Sequence, residues 1–157
     1  MPGHEMFRGY LAIPYLRPAG VIAIRFRCLQ NHEHQGHGKY MSVAGDKPHL
    51  YNTAALMQQT PVVAITEGEI DAVTADLCGI PAVGVAGAHV WQPHFRDLFL
   101  GYRDVYVLAD GDSAGQKFGT SIAEQLPNAK VIPMPPGEDV NSLVVNHGRN
   151  ALIERIK

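Results

Sequence analysis

The stretch Tyr106-Val107-Leu108-Ala109-Asp110-Gly111-Asp112-Ser113-Ala114-Gly115 decides the fold. An apolar, β-rich run leads straight into two aspartates separated by one glycine. A carboxylate pair at the carboxyl end of a buried parallel strand lies where α/β sheets bind their ligands, and it can share one hard cation such as Mg2+. By itself Asp-Gly-Asp says little, because Asp-Gly is common in solvated turns. It gains force from an earlier run, Val62 to Thr66, which also ends on an acid, Glu67, followed by Gly68-Glu69-Ile70-Asp71. Acidic strand ends in the order Glu, then Asp-x-Asp, point to phosphoryl-transfer chemistry built from carboxylates and metal.

Around these runs, strands and helices alternate from Pro61 onward, the signature of a parallel sheet with right-handed crossovers. Strands are expected at Val62 to Thr66, Ala82 to Val85, Asp104 to Ala109 and Lys130 to Met134. A helix over Glu69 to Cys78 would set Ile70, Val73 and Leu77 on one face, with Gly79 as its C-cap. Further helices are expected at Pro93 to Leu100, at Ala114 to Leu126 with Phe118, Ile122 and Leu126 inward, and from about Val140. Before Pro61, Gly9 to Leu16 and Val21 to Cys28 read as strands joined by a turn at Arg17-Pro18-Ala19-Gly20, with Arg25 and Arg27 on one face. Asn31 to Gly38 reads as a polar loop before a short strand at Lys39 to Val43. The expected division is a β-rich basic segment over residues 1–60 and an α/β domain over 61–157.

Composition fits one globular unit with a short appended segment: 46% of residues are apolar and 18% charged,. The net charge of −2 hides an asymmetry. Residues 1–60 carry six Lys or Arg against three acids, and residues 61–157 carry seven against twelve. A basic lobe beside an acidic, metal-binding one suits a polyanionic substrate, although so few basic residues also suit an ordinary surface. No signal-peptide core or membrane-length apolar run is present, so the chain reads as soluble and cytoplasmic. Cys28 and Cys78 form no Cys-x-x-Cys unit and read as free thiols. Cys28, His32, His34 and His37 invite a zinc reading, but their spacing favours a polar loop. Gly84-Val85-Ala86-Gly87 lacks the Gly-Lys-Ser/Thr of a phosphate-binding P-loop.

Four segments together carry a family resemblance: Glu67 to Val73 (EGEIDAV), the Gly87-Ala88 turn, Ala109 to Gly119 (ADGDSAGQKFG) and Pro135 to Val144 (PPGEDVNSLV). They resemble the Toprim domain shared by bacterial-type primases, type IA and II topoisomerases and some nucleases. Order and spacing favour the DnaG-type primase branch. Ile13-Pro14-Tyr15, Gly20-Val21-Ile22, Arg25-Phe26-Arg27, Lys39-Tyr40 and Leu50-Tyr51-Asn52 resemble the end of that core's N-terminal subdomain. The resemblance implies an open, mainly parallel α/β sheet flanked by helices, preceded by a small β-rich segment. It further implies Mg2+ or Mn2+ on Asp110 and Asp112, an acid/base or metal role for Glu67, and phosphate contacts from Arg25, Arg27 and Lys39. The partners it implies are single-stranded DNA, ribonucleoside triphosphates, a replicative helicase and a zinc-binding primase module on another chain or segment. Asp139-Val140-Asn141 stands where primases carry Asp-Pro-Asp, and the upstream zinc-binding module is absent, as expected of a fragment or a reduced, phage-like subunit.

Each site residue also has a structural reading. Glu69 and Asp71 suit the positive end of a helix dipole. Asp139 is either a helix N-cap or a further metal ligand. The arginines and Lys39 also suit an edge strand that resists aggregation. The expected activity is metal-dependent synthesis of RNA primers on single-stranded DNA. Rival readings are a Toprim nuclease or topoisomerase fragment, for which no tyrosine nucleophile is recognisable, and a non-catalytic nucleic-acid-binding assembly module, which the intact Glu67, Asp110 and Asp112 disfavour. A haloacid-dehalogenase reading fails because its Asp-x-Asp follows the first core strand, whereas here it follows the third.

Overall fold

A computed structural model describes residues 5–30, 32–34, 36–87 and 90–157, and the chain divides between Lys47 and Pro48 into two units. Asn31 and Gln35 of the expected polar loop, and Ala88 of the Gly87-Ala88 turn, lie outside the described residues.

The first unit is an antiparallel sheet in the order β1-β2-β3, made of β1 (Tyr10–Arg17), β2 (Gly20–Cys28) and β3 (Tyr40–Ser42). Arg17 pairs with Gly20 across the Pro18-Ala19 turn, and Gly20 takes φ +120°, which a side chain would resist,. Ile13 and Tyr15 alternate inward along β1 and are buried,. β3 is shorter than the expected Lys39 to Val43 strand, and Arg27 lies opposite its first residue, Tyr40.

In the second unit the sheet order is β4-β6-β5-β7-β8. The strands are β4 (Leu50–Tyr51), β5 (Val62–Thr66), β6 (Ala82–Val85), β7 (Asp104–Ala109) and β8 (Ala129–Pro133). All neighbours are parallel except β4, which runs antiparallel on β6. The helices are α1 (Glu69–Leu77), α2 (Ser113–Ala123), α3 (Val140–His147) and α4 (Arg149–Arg155). Because successive strand side chains point to opposite faces, the sheet supports two cores. Val63, Ile65, Val105 and Val107 pack on one side with Phe118, Ile122 and Leu126, as the helical spacing of those three predicts. Ala64 and Leu108 pack on the other with Ala72 and Ala75 of α1, Leu143 of α3 and Leu152 of α4.

Three expectations need correction. The inward face of α1 is not Ile70-Val73-Leu77: Leu77 is 79% exposed, and Ala72, Ala75 and Cys78 face the sheet instead. The helix is turned by its acidic first turn, since Glu69 and Asp71 are buried at 1% and 8% exposure, and small residues let it lie close over Ala64 and Ala82. The Pro93 to Leu100 helix is a 3-10 segment, Pro93–Leu98, anchored by buried Phe95,. The C-terminal helix breaks in two at Gly148, which adopts φ +81°,.

Close packing of α2 depends on Gly119, where a Cβ would fall 2.7 Å from Val131 Cγ1 and 3.3 Å from Ala109 Cβ. Gly119→Leu is therefore expected to cost about 1–3 kcal/mol by overpacking. The check is a lower urea midpoint at unchanged slope.

Candidate functional site

Three adjacent parallel strands, β5, β7 and β8, deliver the acids. β5 ends at Thr66 and is followed by Glu67; β7 ends at Ala109 and is followed by Asp110-Gly111-Asp112; β8 leads through Met134 to the Pro135-to-Asp139 loop. This is the edge at which open α/β sheets bind ligands.

Backbone bonds clamp the last two loops together. Gly111 N–H donates to Glu138 O at 2.8 Å, and Gly137 N–H donates to Gly111 O at 3.1 Å. Gly111 has no alternative residue, because a Cβ would lie 1.8 Å from Pro135 O. At Gly115 a Cβ would lie 2.3 Å from Asp110 O, so the start of α2 can lie against the Asp110 backbone only as glycine. Between the loops is a cleft of about 160 Å3 lined by Asp110, Gly111, Asp112, Gly137, Glu138 and Asp139.

Two of the acids cap helices. Asp112 is the N-cap of α2 and accepts from Gly115 N–H at 2.8 Å. Asp139 is the N-cap of α3 in a capping box, its Oδ1 accepting from Ser142 N–H at 2.6 Å while Ser142 Oγ accepts from Asp139 N–H,. One carboxylate oxygen of each is thus held in place by backbone.

Charge is concentrated on Asp110. Burial, and then the charges of Asp71, Glu67, Asp139 and Asp112, push its carboxyl up to about 7,. Burial, Asp112 and Asp71 also raise Glu67. Asp110 Oδ1 and Glu138 Oε2 are buried without a hydrogen-bond partner among the described residues. An orphaned carboxylate oxygen in an all-oxygen acidic cleft is the donor set of a hard divalent cation, and the residues present fit Mg2+ or Mn2+.

Two participants escape the sequence reading. Asp71 is not merely an acid at a helix start: its Oδ1 accepts from Asn141 N–H at 3.0 Å, tying α1 to the start of α3, and its charge is the strongest of those acting on Asp110. Its place in the first turn of α1, directly after the acidic end of β5, is the signal that could have found it. Glu138 lines the cleft; its Oε1 pairs with His147 Nε2 at 3.0 Å, and its Oε2 is buried without a hydrogen-bond partner among the described residues. Asn141 Oδ1 accepts from Thr74 Oγ1 at 3.1 Å and joins the same α1–α3 clasp.

In the first unit, the Arg25 and Arg27 guanidiniums lie 4.8 and 5.5 Å from the centroid of the Tyr40 ring, so the two do share a face, with the ring between them,. Lys39 precedes Tyr40, and its carbonyl accepts from Cys28 N–H at 2.9 Å.

A Toprim-like family profile matches residues 64–144, which contain Glu67, Asp110, Asp112 and Asp139. The chain belongs to the Toprim-like family. It is 60% identical over 156 residues to the Gene 57 protein of Mycobacterium phage D29, covering 96% of this chain and 100% of that protein. To the DNA primase of Pseudomonas aeruginosa it is 30% identical over 115 residues, 68% of this chain and 17% of the primase. Among solved structures it is similar to the DnaG primase catalytic domain bound to ssDNA, with TM-score 0.72 and 27% identity, over 94% of this chain and 52% of that one. The fold is that of DnaG-type catalytic cores, of which this chain spans about half. None of the helices among the described residues is long and apolar enough to cross a membrane.

The raised Asp110 has a stability consequence with a definite sign. Below about pH 4 Asp110 is protonated whether the chain is folded or not; between about 4 and 7 the folded state holds the extra proton, so metal-free stability falls as pH rises through that window,. Asp110→Asn removes the buried charge. In chelator, the variant is expected to gain about 1–2 kcal/mol over wild type at pH 8, after discounting for solvent screening, and about a third of that at pH 5,. Urea denaturation at the two pH values checks this, and an equal difference at both would contradict it.

Proposed function

We propose that this chain is a primase-type nucleotidyltransferase segment that joins ribonucleotides on single-stranded DNA. The observation that carries the reading is the buried carboxylate cluster around Asp110: burial, and then the neighbouring acids, push its carboxyl up to about 7, and one of its oxygens is buried without a hydrogen-bond partner among the described residues. Such a cluster is costly to fold unless function requires it. Asp110 and Asp112 would hold Mg2+ or Mn2+, with Asp139 and Glu138 beside them on the same cleft. A bound divalent ion would neutralise triphosphate charge and acidify a coordinated hydroxyl.

The chain's own groups divide the remaining work. Glu67 is half-buried at the end of β5, and its raised pKa makes it a stronger base than a solvated glutamate, suited to take the proton of an attacking 3'-hydroxyl,. Asp112 and Asp139 are oriented by their capping bonds, so the cleft is organised before substrate arrives,. Arg25, Arg27 and Lys39 would contact backbone phosphates of template or nucleotide without reading sequence. The replicative helicase and the zinc-binding primase module belong to this proposal as partners, and the cytoplasm as its location. Similarity to primase domains, including one bound to ssDNA, supports it.

Glu67→Gln keeps the size of the side chain and removes its charge, so primer synthesis from labelled ribonucleotides should fall at least about 100-fold while nucleotide binding persists. The assay compares wild type and variant, each supplemented with candidate partner modules. Equal primer yield from both would remove Glu67 from the chemistry, and nicking of DNA without primer synthesis by the supplemented wild type would favour a Toprim nuclease.

A further inference from the structure

A second group of potential ligands lies in the first unit, built from residues that the acidic cleft does not use. Cys28 is the buried last residue of β2, and His32 and His34 follow in the connection to β3. One ligand atom from each lies within 4.8 Å of the others. Cys28 Sγ is 3.6 Å from His32 Nε2, and His32 Nε2 is 3.2 Å from His34 Nδ1. Two ligands sharing one tetrahedral zinc, with bonds of about 2.3 Å to sulfur and about 2.05 Å to nitrogen, sit about 3.6 Å (S···N) and about 3.3 Å (N···N) apart. Both observed separations match.

His37 packs against the two histidines of this set. Its ring centroid lies 5.2 Å from that of His32 and 5.1 Å from that of His34. Its Nδ1 is 3.1 Å from Gly38 O, and also 3.1 Å from Tyr10 Oη. Donation of Nδ1–H to that carbonyl selects the tautomer whose Nε2 carries a lone pair, which is how metal-binding histidines are held. As neutral groups, Cys28 and His34 both lean on the one position that His32 Nε2 offers, a single lone pair or a single proton,. A metal ion among them would take up the Cys28 sulfur and one ring nitrogen from each histidine.

We infer that Cys28, His32 and His34, with His37 as fourth ligand, form a site for a zinc-type divalent ion. The mixed thiolate and imidazole set suits Zn2+ over the hard Mg2+ of the acidic cleft. Spacing hides this site in the sequence, because no Cys-x-x-Cys is present; the turn of chain between β2 and β3 brings the ligands together instead. The ion would staple the long β2–β3 connection at its base, next to Arg27 and Lys39, which flank the site in sequence. Binding displaces the thiol proton from Cys28, and the imidazoles bind in their neutral forms.

Cobalt substitution tests the assignment without relying on activity. The full chain is stripped of metal, saturated with Mg2+ to occupy the carboxylates, and titrated with Co2+. The expected result is a thiolate-to-cobalt charge-transfer band at one equivalent, displaced by one equivalent of Zn2+, absent in Cys28→Ser and retained in Cys78→Ser. Because Cys28 is buried and its variant can misfold, His32→Ala and His34→Ala in the loop provide the second reading, each expected to weaken Zn2+ binding about tenfold or more with unchanged circular dichroism. No charge-transfer band in wild type, a band that survives Cys28→Ser, or Zn2+ affinity unchanged in both histidine variants would each overturn the site.

Discussion

Repulsion among carboxylates crowded at the carboxyl edge of β5, β7 and β8 is the constraint on which the rest of this structure depends. Asp110 is the focus, with its carboxyl pushed to about 7 by burial and by four neighbouring acids. A fold selected only for stability would place an amide or an apolar group there. Instead the surrounding structure is arranged to hold the charges close. Asp71 and Asn141 clasp α1 to α3, Asp112 and Asp139 cap the helices that follow the two loops, and reciprocal backbone bonds join Gly111 to Gly137 and Glu138. Removing any one of these loosens the placement of an acid rather than the hydrophobic core.

The glycines show how little freedom that arrangement leaves. At Gly111 the loop after β7 passes so close to Pro135 that no side chain fits, and at Gly115 the same holds against the Asp110 backbone. The Asp-Gly-Asp and Ala-Gly elements are thus the steric condition for bringing two loops and a helix start to one cleft. The geometry of this cleft is set by backbone approach first and by side-chain chemistry second.

Where one principle dominated locally, the sequence was legible. β5 and β7 are short, β-rich and buried on both faces, and the three-to-four-residue spacing of Phe118, Ile122 and Leu126 is strong, so these elements and the acids at their ends could be read directly. The face of α1 was misread because the apolar residues Val73 and Leu77 point to solvent while Glu69 and Asp71 are buried. A helix whose polar turn is recruited by a site violates the amphipathic pattern on which such readings rest. β4 is two residues long and has no period to detect; its place is decided by pairing with β6. Asp71 and the Cys28-His32-His34 group share a different difficulty. Their meaning comes from neighbours distant in sequence or folded back by a loop, and spacing alone does not encode that.

Proton release on Mg2+ binding is the most direct measure of whether the acidic cluster is a metal site held in waiting by its own repulsion. With Asp110 titrating near 7, it carries about three quarters of a proton at pH 6.5 and almost none at pH 8.5,. Calorimetry of Mg2+ binding in buffers of different ionisation enthalpy should find release of a substantial part of one proton at pH 6.5, falling toward zero at pH 8.5. Binding with no proton release at pH 6.5, or no Mg2+ binding at either pH, would contradict the account.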